Sequence, residues 1–280
     1  MGTLYLVATP IGNLEDITYR AVRILSEVSV IAAEDTRTTR KLLAHYDIHT
    51  PLVSFHEHSD AGRIEGLVRR LQDEDVAVVS DAGMPAISDP GYRLVSAVVE
   101  QGITVVPIPG PSALVAAVAA SGLATDRFLF IGFLPNRSGR RRKALEELRQ
   151  ISHTLVCYES PHRVLSMLGD AGDILGDRQI VVARELTKLH EEIWRGTISE
   201  AVIYFETRRP RGEFTLVIAG QQTSEATHKW SEDEVANALR ERRQGGLSAR
   251  EAAREVAELA GWSRRDVYQL GLQANARESE

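Results

Sequence analysis

Through Ile108, apolar residues come in short uniform runs separated by amphipathic stretches. Thr3–Ala8, Val28–Ala33, Leu52–Phe55, Val76–Val79 and Ile103–Ile108 are rich in small and β-branched side chains and lack alternation, as strands buried on both faces of a parallel sheet do. Between the first two runs, Ile17, Ala21, Ile24, Leu25 and Val28 fall at helical spacing, with Asn13 or Asp16 available as the cap. A basic helix follows Arg37, Gly62–Leu71 is helical in pattern, and another helix runs from Gly91 through Val99. Strand and helix alternating in this way predict a parallel α/β domain over 1–115. After PGPSA comes an Ala-rich segment with almost no charge, and such a helix is expected to be buried.

The pattern changes after this point. FLFIGFLP, LVCYESP, IVVARELTK, EEIWRGTI and EFTLVIAG are further strands, and the short connections among the last three predict a mixed sheet with hairpins in a second α/β domain over 116–222. QQTSEATHK has no apolar periodicity and is expected to be a linker. Beyond it, 230–280 forms a helical domain. Ser248 with Glu251 has capping-box spacing, Gly261 breaks the helix and SRRDVYQ restarts it, the layout of a helix-turn-helix.

The chemistry gathers where the strands stop. The loops TPIGN, AEDTR, SDAGMPAISDPG and IPGPSA all begin at strand ends. Ligands of open α/β sheets lie outside the carboxyl ends of the strands, so Ser80, Asp81, Gly83 and Pro85 stand where a small molecule would. A plain strand-to-helix connection uses the same residue types. TPIGN is not the glycine fingerprint of a dinucleotide site. His56, Glu57 and His58 would hold a metal only with a further ligand from elsewhere, and a solvated turn gives the same pattern, so no metal is assigned.

With 43% apolar and 26% charged residues among 280, the composition is that of an ordinary globular protein. The net charge of -6 argues against a surface devoted to nucleic acid but leaves room for a basic patch. Arg137, Arg140, Arg141, Arg142 and Lys143 supply one at a helix N-terminus, where the dipole disfavours cations. A phosphate partner offsets that cost; a solvated charge run is the alternative. The single cysteine, Cys157, lies in an apolar run and is expected to be a buried hydrophobe in a reducing compartment. No secretory signal or membrane span is apparent, and the expected location is cytoplasmic.

Taken in order from Thr3 to Gly220, TPIGNLEDIT, AEDTRTTRKLL, SDAGMPAISDPG, IPGPSA, YESPHR and RELTKLHEE resemble the 16S ribosomal RNA 2′-O-ribose methyltransferases of the tetrapyrrole methylase superfamily, the class III enzymes dependent on S-adenosylmethionine. The resemblance implies two α/β domains with S-adenosylmethionine in the cleft between them, a helical C-terminal domain, a homodimer, and 16S ribosomal RNA or the small ribosomal subunit as partner, modified at a cytidine ribose. It places cofactor contacts on Pro10, on Asp81, Ala82, Gly83 and Ile87, on Ser112 and Ala113, on Phe133 and Leu134, and on Tyr158. Tetrapyrrole-acting members have GxGxGxPxxLT in the first loop and GDP in the third. TPIGN and DAG stand there instead, which favours RNA over a tetrapyrrole-type small molecule. A regulator that only binds nucleic acid is the non-enzymatic alternative.

Ribose 2′-O-methylation is an in-line displacement, so holding oxygen and methyl about 3 Å apart supplies much of the rate, and a general base helps remove the proton. Asp35 or Glu34 is the expected base, with Arg37 holding the carboxylate or a substrate phosphate; a local Asp35–Arg37 ion pair that merely organises the loop is the alternative. Glu159, Arg184, Glu185 and Lys188 are the opposing set from the second domain. RNA phosphates are expected on the Arg137–Lys143 cluster, on Arg208, Arg209 and Arg211, and on Arg264 and Arg265 at the start of the last helix.

Overall fold

The uniform apolar runs become β1 (Thr3–Val7), β2 (Val30–Ala33), β3 (Leu52–Ser54), β4 (Val76–Val79) and β5 (Thr104–Ile108), all parallel in the order β3-β2-β4-β1-β5. The computed structural model describes residues 1–56, 61–89, 91–221 and 230–277, in two compact units, Met1–Gln221 and Gln222–Glu280. Alternate side chains of each strand serve opposite faces. Leu4, Val30, Ala32, Val76 and Val78 pack with Leu67 and Val68 of α3 (Ala61–Arg70) and Leu94 and Val98 of α4 (Tyr92–Glu100). Val7, Ile31, Ala33, Ala77 and Val79 pack with Ala21, Ile24 and Leu25 of α1 (Tyr19–Glu27) and Leu43 of α2 (Thr36–His45). Each such side chain, once buried, contributes about 1.5–3 kcal/mol when it is Val- or Leu-sized, which is why a double-faced strand tolerates no alternation.

Neither predicted residue caps α1. Asn13 accepts from the Glu15 N–H and caps a separate 3-10 turn at Leu14–Asp16, and Thr18 caps α1 by accepting from the Ala21 N–H. That turn consumes the residues from which the helix was expected to grow.

The second sheet holds β6 (Phe128–Phe133), β7 (Thr154–Glu159), β8 (Gln179–Arg184), β9 (Glu192–Thr197) and β10 (Phe214–Ile218), in the order β6-β7-β10-β8-β9. Only β6 and β7 run parallel. The expected hairpin is real for β8 and β9, whereas α8 (Ile198–Glu206), with a Thr197–Glu200 capping box, separates β9 from β10 and lets β10 enter between β7 and β8. One face of this sheet is covered by α6 (Ser138–Leu148), α7 (Val164–Leu175) and α8, the other by α5 (Ala113–Ser121). The Ala-rich α5 is not fully buried. Ala117 and Val118 pack on the sheet, while Ala116, Ala119 and Val115, the last 59% accessible, face outward.

In the C-terminal unit, α9 (Glu232–Gln244), α10 (Ala249–Ala260) and α11 (Arg264–Arg277) enclose a small core of Val235, Leu239, Val256 and Val267. Ser231–Glu234 and Ser248–Glu251 form capping boxes, and Gly261 ends α10 at φ 66°. Among the described residues, no helix is long and apolar enough to cross a membrane.

Candidate active site

Strands β1 and β4 are neighbours, yet the chain leaves β1 toward β2 and leaves β4 toward β5, in opposite directions across the sheet. This is the switch point of the sheet, outside whose strand ends ligands of open α/β sheets bind. The TPIGN and SDAGMP loops meet there through reciprocal backbone bonds, Thr9 N–H to Gly83 O at 2.9 Å and Gly83 N–H to Thr9 O at 3.0 Å. The Thr9 hydroxyl donates to Ser80 O at 3.1 Å. Gly83 turns at φ 79°, and farther along the same loop Ala86 and Ser88 take φ of 70° and 62° without being glycine. Such conformations cost on the order of 1–3 kcal/mol each and persist where the surroundings impose them.

The end of the second sheet forms the opposite wall. Its register sets Phe133, Tyr158 and Thr215 side by side in one row and Glu159, Phe214 and Arg184 in the next. A Cβ on Gly132, at the β6 bulge, would meet Ser88 Oγ at 2.9 Å, so the two walls touch there. The cavity between the walls is about 280 Å³ and is lined by Ala82–Met84 and Ile87–Asp89 from one loop, Ser112 and Ala113 from the start of α5, and Phe133, Tyr158–Pro161 and Gly212–Thr215 from the second sheet. Tyr158 is fixed against α5 by the Leu114 N–H, which its phenol oxygen accepts, while burial pushes that phenol above its ordinary range.

Of the expected cofactor residues, Ala82, Gly83, Ile87, Ser112, Ala113, Phe133 and Tyr158 line this cavity. Pro10 and Asp81 instead line a hollow of about 180 Å³ between the first loop and α2, and Leu134 is buried behind the wall, its carbonyl taken by Arg163. Asp89, Ser160, Glu213 and Thr215 were missed. Asp89 lay inside the quoted SDAGMPAISDPG block, but nothing in a sequence distinguishes a cavity-facing Asp from one that ends a turn.

The expected catalytic carboxylates are differently placed. Asp35 caps α2 by accepting from Arg37 N–H at 2.8 Å and binds the Arg37 guanidinium at 2.7 Å, so the ion-pair alternative is what the geometry displays. The Arg37 hydrogen bonds hold its carboxyl down at about 2, a value of little use to a base at neutral pH. Glu34 accepts from Asp81 N–H at 3.2 Å, and Asp81 accepts from Asp35 N–H at 3.1 Å. Glu159 is buried, 3.0 Å from Arg163, and accepts from Ser160 N–H at 2.7 Å. Lys188 bridges Glu185 at 2.8 Å and Glu213 at 2.9 Å, and a Cβ on Gly12 would fall 2.3 Å from Lys188 Cγ, which sets the first loop against this network. Burial opposes the charge on Glu185, but bonds from Lys188 and the Glu213 N–H outweigh it and keep the carboxyl below its ordinary value. Arg184 lies 3.0 Å from Glu192, which also accepts from Tyr204, and Arg208 stacks 3.9 Å over the Tyr204 ring.

The arginine cluster divides in two. Arg141 is buried and Arg142 half-buried; both bind Asp170, at 2.6 and 2.9 Å, and Arg142 also reaches Asp173 at 2.8 Å. These carboxylates from α7, not a phosphate, offset the unfavourable helix dipole. Arg137, Arg140 and Lys143 are exposed, as are Arg208, Arg209 and Arg211. In the helical unit, Arg264 and Arg265 share a hollow with Arg250, Arg254 and Tyr268. Cys157 is buried, and burial followed by the nearby Glu159 charge raises its thiol to about 12. Glu57 and His58 lie outside the described residues, and among the described residues no group of three or more His, Cys, Asp or Glu could hold a metal ion.

The profile of the tetrapyrrole (corrin/porphyrin) methylases matches residues 3–202. The chain belongs to this family. Residues 231–275 match the RsmI C-terminal HTH domain. A relative from Synechocystis sp. named ribosomal RNA small subunit methyltransferase I is 51% identical, with 99% of each chain covered, and one of the same name from Halalkalibacterium halodurans is 49% identical over 96% of this chain and 94% of its own. The Thermotoga maritima protein of that name, 51% identical, is covered completely by 79% of this chain. Among solved structures, cobalt precorrin-4 methyltransferase (TM-score 0.59, 17% identity, 78% of this chain and 94% of that one) and diphthine synthase (TM-score 0.60, 13% identity, 79% and 90%) share the family's fold.

Proposed function

We propose that the chain transfers a methyl group from S-adenosylmethionine to the 2′-oxygen of a cytidine ribose in 16S ribosomal RNA of the small subunit. The near full-length likeness to relatives named ribosomal RNA small subunit methyltransferase I carries this reading. Members of this methylase family use S-adenosylmethionine in general, and the cavity suits it chemically. Its walls hold three carboxylates, Asp89, Glu159 and Glu213, two of them paired with cations behind the wall, and no Lys or Arg lines it, which suits a ligand whose ammonium and sulfonium outweigh its single carboxylate. Ile87 and Phe133, 48% and 54% accessible, offer apolar surface at the rim. When bound, the cofactor supplies an electrophilic methyl group on a positive sulfur.

The protein's own share is orientation and proton handling. Loops pinned by the Thr9–Gly83 bridge and by Tyr158 on α5 present fixed walls, so the entropy of aligning the reactants is met in folding rather than at the transition state. Arg137, Arg140, Lys143, Arg208, Arg209 and Arg211 serve the RNA backbone on the α/β unit, and Arg264 and Arg265, with Arg250 and Arg254, on the helical unit. The outward apolar side of α5 supports a homodimer. The chain works in the cytoplasm, where its substrate is made.

Incubation with small ribosomal subunits and methyl-labelled S-adenosylmethionine tests the reading. Nuclease digestion is expected to place the label on a cytidine ribose; label on a base, or on no nucleotide, refutes it.

A further inference from the structure

We infer that Asp89 is the general base that takes the proton from the attacking hydroxyl; this rests on the reading above. Asp89 lies on the cavity wall with Ser112 and Tyr158, on the loop that holds Ala86 and Ser88 in left-handed backbone conformations. The buried Ser80, at the end of β4, has its hydroxyl near enough to favour the charged form of this carboxylate.

Its surroundings differ from those of three carboxylates nearby. Asp35 is bound to Arg37, Glu159 to Arg163, and Glu213 to Lys188, and an adjacent cation weakens a carboxylate as a proton acceptor. The charges acting on Asp89 are both negative: Glu34 at the end of β2 and Asp81 at the start of its own loop. From the second sheet, the neutral Tyr158 faces it, and Glu159 and Glu213 share the cavity. Burial first, then repulsion from Glu34 and Asp81, raises the carboxyl to about 6, with the nearby Ser80 hydroxyl opposing. A base of that strength is ionised at neutral pH and still holds a proton well, the compromise that general-base catalysis favours.

In the step, the hydroxyl proton passes to an Asp89 carboxylate oxygen and the freed oxygen pair forms the bond to the methyl carbon. The former carbon–sulfur pair stays on sulfur, which becomes neutral, and Asp89 then releases its proton to solvent.

The test uses the full chain and single-turnover methylation of small subunits at saturating cofactor from pH 5 to 9, with cofactor affinity from calorimetry. At saturating cofactor, Asp89→Asn is expected to slow the step about 10²–10⁴-fold and erase the acid limb of the pH profile. Asp89→Glu should recover part of the rate, and Ser80→Ala should move the acid limb to higher pH, because the hydroxyl that favours the Asp89 carboxylate is gone. An Asp89→Asn rate within a few-fold of wild type, or a lost affinity with an unchanged saturated rate, overturns the assignment. Carbon-13 NMR of the protein alone gives a readout that needs no RNA: the carboxyl signal absent from Asp89→Asn should titrate near 6, and titration in the ordinary range near 4 overturns the assignment. A wild type that leaves ribose unlabelled refutes the substrate reading instead, so the two failures are told apart.

Discussion

Removing Asp170 should cost far more than removing any of the exposed arginines that share its neighbourhood. Its carboxylate receives Arg141 at 2.6 Å, Arg142 at 2.9 Å and the Ser138 hydroxyl at 3.1 Å, with the Arg141 side chain only 5% accessible. Asp170→Ala leaves that guanidinium buried without a counter-charge, a change worth about 3–5 kcal/mol. Against a total stability of about 5–15 kcal/mol, this is a large share. At about 1–3 kcal/mol per molar of urea, the midpoint should fall by about 1–5 M, measured by circular dichroism in the helical and sheet bands. Arg141→Met/Asp170→Ala should recover more than half of the loss, because the stranded charge is then gone too. Arg140→Ala, on the exposed side, should cost less than about 0.5 kcal/mol and weaken RNA binding instead. If Arg141→Met unfolds like wild type and loses RNA affinity, its guanidinium is a phosphate ligand and the partition drawn here is wrong.

Three further outcomes follow from particular residues. Asp89→Asn should be more stable than wild type at pH 8 but not at pH 4, because a carboxyl raised from 3.8 to about 6 favours folding below its unfolded value and loses that contribution as pH rises through 6; allowing for partial exposure, about 1–2 kcal/mol is expected in thermal melts across pH. Gly212→Ala adds a Cβ 2.3 Å from Glu185 Cδ at a φ of 83°, so it should cost about 1–3 kcal/mol and reduce binding of S-adenosylhomocysteine by calorimetry; unchanged binding and stability would mean the loop gives way freely. Cys157, with its thiol held at about 12, should react with a colorimetric disulfide reagent only on unfolding, and rapid native labelling would contradict its burial.

Much of the fold was legible because burial on both faces leaves a plain mark: β1, β2, β4 and β5 are uniform apolar runs, and the loops loaded with Gly, Pro and Asp begin at their ends. Ser248, Glu251 and Gly261 marked the helical unit through local capping chemistry, which acts within a few residues and so can be read without the fold. The family blocks named the seven cavity residues for the same reason, being contiguous in the chain. What they could not supply is anything set by residues distant in sequence. Thr9 meets Gly83 and Arg141 meets Asp170 only after the elements that carry them have packed together. The charge pattern at Arg137–Lys143 looks the same whether its counter-ions are phosphates or carboxylates on another helix, and tertiary packing chose carboxylates for two of the arginines. Likewise a carboxylate's strength as a base depends on its solvent exposure and its nearest charge, and these separated Asp35 from Asp89: the sequence alone determined where the chemistry gathers, and the folded chain decided which carboxylate is free to take a proton.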